Sequence, residues 1–122
     1  MKQEDEIKSL EKKINDLLKQ DTRGTIQVVH YTPELYGSLI SRCREFEDVI
    51  NIDASYTLEY MISVQHLGVS DFPKALLDQA RGFPIAIIWH LYDTLTYTED
   101  IVCEMDDDFD TNLIFMTRKS MV

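Results

Sequence analysis

Eight carboxylates and no Lys or Arg fall between Gly82 and Thr117: Asp93, Glu99, Asp100, Glu104, Asp106, Asp107, Asp108 and Asp110. Side chains of this type at this density can do two things. They attract basic surfaces, with a strength that salt screens, and they attract hard cations. Residues 1–81 hold 14 acids against 10 bases and the chain closes on Arg118 and Lys119, so this one segment supplies −8 of the net −10. With a pI near 4.6 the molecule repels nucleic acid and anionic membranes at neutral pH, and its expected partner is a basic or neutral protein.

Other constellations are incomplete. Asp106, Asp108 and Asp110 match the first three ligand positions of an EF-hand loop, but Thr111 and Thr117 stand where that loop needs Gly and Glu, so no metal site is expected. His90 lies three residues before Asp93, a spacing that can place an imidazole and a carboxylate on one helix face as an oriented base. A histidine held by a neighbouring carboxylate for structural reasons is the commoner arrangement. Cys43 and Cys103 are far apart and form no CxxC, which fits a reduced, cytoplasmic setting better than a redox or zinc motif. The four glycines are isolated, so neither a phosphate-cradling loop nor a GxSxG elbow is present. No catalytic residue and no cofactor follow from these patterns, and the expectation is a non-enzymatic protein.

The elements that must position the acids can be read from periodicity and caps. Ile7, Leu10, Ile14 and Leu17 recur in steps of three and four, predicting a coiled-coil-like amphipathic helix that ends near Asp21 and offers a seam for docking or for pairing two copies. Thr25 to Tyr31 is rich in β-branched residues and reads as a strand. Thr32-Pro33-Glu34 starts a second helix through Leu35, Leu39, Ile40, Cys43 and Phe46. Val49 to Ile52 is a candidate strand, Asp53 caps a third helix ending at Gly68, with a strand as the alternative because of Tyr56, Thr57 and Val64, and Ser70 or Asp71 caps a fourth closed by Gly82. From Pro84, the spacing of Ile85, Ile88, Trp89, Tyr92 and Leu95 favours a helix, with a buried strand over Ile85 to Trp89 as the alternative. Thr96 and Glu99 form a capping box for a last helix, with Ile101, Val102, Met105 and Phe109 on one side and Asp100, Glu104, Asp107 and Asp108 on the other. Continued to Asp110, this acidic row would rise ~15 Å. Asn112 to Thr117 reads as a closing strand.

The expected fold is therefore a mainly helical α+β domain: residues 1–21 form the N-terminal helix, and residues 22–122 form a compact unit with a small sheet of Thr25 to Tyr31 and Asn112 to Thr117. No apolar stretch reaches the ~18 residues of a membrane span, and the acids near Met1 argue against a secretion signal. In general character the acidic segment resembles the small acidic inhibitors, some of them nucleic-acid mimics, by which phages block host restriction or CRISPR nucleases. The resemblance implies an inhibitor of a nucleic-acid-binding protein or nuclease, engaged through Asp93 and the seven acids from Glu99 to Asp110. The alternative is a homodimeric structural or adaptor protein joined through Ile7, Leu10, Ile14 and Leu17, with the acids serving solubility.

Overall fold

A computed structural model of the chain describes residues 2–20, 23–66, 68–90 and 94–118. Along the described chain run α1 (Lys2–Lys19), β1 (Ile26–Tyr31), α2 (Tyr36–Cys43), β2 (Val49–Asp53), α3 (Ala54–Ser63), α4 (Phe72–Ala80), β3 (Ile85–Trp89), α5 (Thr94–Glu104) and β4 (Asn112–Arg118). Short 3₁₀ turns, Pro33–Leu35 and Val69–Asp71, lead into α2 and α4. The four strands make one parallel sheet in the order β1-β4-β3-β2. The molecule is thus a mixed α/β protein, with a larger sheet than the two strands expected.

The principal correction concerns Ile85 to Trp89; Tyr92 of the expected helix lies outside the described residues. Ile85 to Trp89 is the strand β3, hydrogen-bonded between β2 and β4, and all five of its residues are fully buried. A helix loses here because a central parallel strand is covered on both faces and reads as a continuous apolar run. Alternation does the rest: Ile85, Ile87 and Trp89 point into one core, Ala86 and Ile88 into the other.

Those two cores define three layers. On one face α1 and α2 bring Leu10, Ile14, Leu17, Leu35, Leu39 and Cys43 onto Tyr31, Val49, Ile114 and Met116. On the other α3, α4 and α5 bring Met61, Phe72, Leu76, Leu77 and Ile101 onto Ile52, Leu113 and Phe115. Proline near the start of α4 and the Asp53 carboxylate accepting from the Tyr56 amide fix where these helices begin. At the rings' edge of the first core, Tyr31 and Tyr36 both meet Trp89 edge-on, at 5.4 and 5.2 Å between centroids, and the indole N–H donates to Asn51 at 3.0 Å.

The seam on α1 lies against the chain's own sheet. Leu10, Ile14 and Leu17 are only 3%, 0% and 6% exposed, with Ile7 packed beside them, so these residues could pair two copies only if the helix left the sheet. The Glu6 carboxylate also accepts from the Thr32 amide at 2.6 Å and from its hydroxyl at 2.9 Å, tying α1 to the end of β1. Truncating Ile14 to Ala should therefore cost about 2–5 kcal/mol in urea unfolding. Leu18→Ala, at a side chain 36% exposed, should cost far less; equal small effects would mean that α1 is not part of the folded unit.

Candidate functional site

The acids divide into two groups. Glu99, Asp100 and Glu104 lie exposed on α5, which stops at Glu104. Asp106, Asp107, Asp108 and Asp110 lie exposed on the following turn rather than continuing a helical row. This corrects the expected helix to Asp110. Its cause is electrostatic: the last turn of α5 has no base to suit the negative helix end, and three successive aspartates, poor helix formers, would have been stacked there. Asp93 lies outside the described residues.

The turn is held in place from below. Phe109 is buried among the residues of the second core, its amide bonds to the carbonyl of Asp106 at 3.1 Å, and Thr111 donates to the Ala80 carbonyl at 3.2 Å. Arg81 lies over the Phe109 ring at 5.2 Å and reaches Asp106 at 3.6 Å, while Arg23 reaches Asp110 at 3.5 Å. Gly24 completes the join. Its φ of +69° is one that L side chains avoid, a Cβ there would stand 2.8 Å from the Phe109 carbonyl oxygen, and its amide donates to the Asp110 carbonyl. Both ion pairs are exposed and contribute little, so the backbone and Phe109, rather than charge, set the turn.

The structure adds a feature that no single segment of sequence displays. The described residues between 54 and 110, which build the layer of α3, α4 and α5, carry ten acids against Lys74 and Arg81, a net of −8; residues 1–53 carry eleven acids against eight bases. One face of the sheet therefore bears most of the molecule's net charge. Besides the acids of α5 and its turn, Glu59 of α3, Asp78 of α4 and Asp71 just before it are exposed on this side. Among the described residues, ion pairs with bases reach only Asp106 and Asp110 of this layer.

Within the same layer α3 and α4 enclose an open groove of about 550 Å³, lined by Tyr56, Tyr60, Gln65, Asp71, Lys74 and Asp78 among others. Tyr56 and Tyr60, one turn apart, are stacked at 6.3 Å with their planes 24° apart, and remain 66% and 44% exposed. Sequence reasoning passed over this pair; the spacing of two tyrosines by four residues was the available signal.

The remaining candidates separate. His90 follows β3 in the left-handed region, φ +62°, with its ring 4.6 Å from that of Tyr36 and its buried Nδ1 without a hydrogen-bond partner among the described residues. Its relation to Asp93 lies outside the described residues. Tyr36 has its hydroxyl pKa raised, first by burial and then by the charge of Asp53. His30 meets Thr117 at 2.6 Å on the exposed side of β1 and β4. Among the described residues no three His, Cys, Asp or Glu side chains come together as a metal site, and no helix is long and apolar enough to cross a membrane. No match was found to a protein family, to a curated protein or to a solved structure.

Burial pushes the Cys43 thiol up to about 12, with the charge of Glu11 adding to it, whereas Cys103 is exposed. A thiol reagent at pH 8 should accordingly titrate one cysteine in the native protein and two in denaturant. Two reactive cysteines without denaturant would mean that the α1/α2 layer opens readily.

Proposed function

We propose that this chain is a non-enzymatic, cytoplasmic binding protein whose α3–α5 layer docks on a basic surface of another protein, inhibiting a protein that handles nucleic acid. The observation that supports it is the segregation of charge by layer, −8 from the described residues on one face of the sheet. Exposed carboxylates without bound counter-charges steer a basic partner from a distance and are screened by salt. Duplex DNA presents one charge per ~1.7 Å of axis, so a protein groove built for phosphates suits a dense carboxylate surface as well. This is the manner of action of the acidic phage inhibitors that the segment resembles.

Glu99, Asp100, Glu104, Asp107 and Asp108 are the residues proposed to make first contact, because they are exposed and, among the described residues, make no ion pair with Arg23 or Arg81. Asp106 and Asp110 join them at the rim, where the exposed pairs with Arg81 and Arg23 can exchange for pairs with the partner. The adaptor alternative, a coiled-coil-like dimer through α1, is less favoured because Leu10, Ile14 and Leu17 are already buried.

Replacing those five acids by Gln or Asn should leave folding within about 1 kcal/mol of the parent, since like charges on a helix surface repel weakly. The same variant should lose capture of a nucleic-acid-binding protein from lysate of the source cells. With the parent chain, capture should be released by high salt and by added DNA. Capture that survives the five substitutions, or that salt does not touch, would overturn the proposal.

A further inference from the structure

We infer that the groove between α3 and α4 is a socket for an arginine side chain of the basic partner, with Tyr56 and Tyr60 as its stacking wall and Asp71 and Asp78 as counter-charges. The inference rests on the charge-based reading above and adds to it a point of anchorage. The two rings are carried one turn apart on one helix with their planes 24° apart, and both are exposed, at 66% and 44%. Aromatic faces carry negative potential, and a guanidinium, planar and weakly hydrated, stacks on tyrosine while its N–H groups remain free for carboxylates. Asp71 and Asp78 supply those carboxylates from the opposite wall.

The groove is preorganised and correctly charged for this occupant. Gln79 donates to the Thr57 hydroxyl at 3.0 Å and Thr57 donates to the Asp53 carbonyl at 3.1 Å, which fixes the floor. Lys74 is the single base on the wall and stands between Asp71 and Asp78 in sequence, so the lining keeps a net negative charge. An apolar side chain would instead bury Asp71, Asp78 and Gln65 without partners, at a cost that the rings do not offset. Position agrees with chemistry: α4 packs against both α3 and α5, so the groove opens within the layer that draws a basic partner in.

The probe is a hexa-arginine peptide titrated into the full chain at low salt, followed by the ring resonances of Tyr56 and Tyr60 in NMR and by affinity. Both rings should shift on binding, and Tyr56→Ala with Tyr60→Ala should weaken the affinity roughly three- to tenfold with unchanged far-ultraviolet circular dichroism. The pair Tyr56→Phe and Tyr60→Phe should retain it, because the faces and not the hydroxyls stack. Shifts confined to α5 and its turn, with the alanine variant binding as well as the parent, would overturn the socket and leave the charge-based reading standing. Absence of any binding at low salt would overturn both.

Discussion

Everything in this molecule depends on covering a parallel sheet on both sides. A strand such as β3, with all five residues fully buried, has no face to give to water. One layer of helices must close each side, and the chain supplies them by sending α1 and α2 to one face and α3, α4 and α5 to the other. That requirement explains why α1 is bound into the domain. Without Leu10, Ile14 and Leu17 the side of the sheet that carries Ile87, Trp89 and Ile114 would lie partly open.

The same constraint decides where charge can go. Between Ile85 and Trp89 there is no ionisable side chain, and β4 has none before Arg118, so among the described residues charges lie on the helices, in the turns and at the strand ends Asp53 and Arg118. Each layer can then hold its own balance. The α1/α2 layer mixes lysines and arginines with its acids; the α3–α5 layer has almost no bases, and a difference in composition along the chain becomes a difference between two sides of a molecule.

The helices and both sheet-edge signals were legible where local chemistry is decisive. The helix α1, the Asp53 cap and the Thr32-Pro33 start appear in the structure close to where the residues placed them, although Thr32 gives no side-chain cap and a 3₁₀ turn precedes α2. What misled was β3. Ile85, Ile88 and Trp89 fit a helical period by coincidence, and only their neighbours Ala86 and Ile87, also apolar, reveal that no polar face exists. The end of α5 was obscured differently: the apolar side of the expected helix includes Met105 and Phe109, and Phe109 does reach the core, but from a turn. The tyrosine groove depends on α3 lying beside α4, a tertiary fact that one helix's sequence does not carry.

The sheet order has a consequence for how the chain is made. Strand β1, near the start, pairs only with β4, near the end, and Thr25 meets Asn112 through both its amide and its hydroxyl across 87 residues. As the chain emerges from the ribosome, β2 and β3 can align early and offer α1 part of its seat, while β1 has no strand to pair with until β4 is synthesised. Until then the Leu10, Ile14 and Leu17 surface lacks the part of its core that β4 supplies, Ile114 and Met116. Contacts this distant in sequence are slow to close, so the interval before β4 emerges is when the nascent chain most needs protection from aggregation.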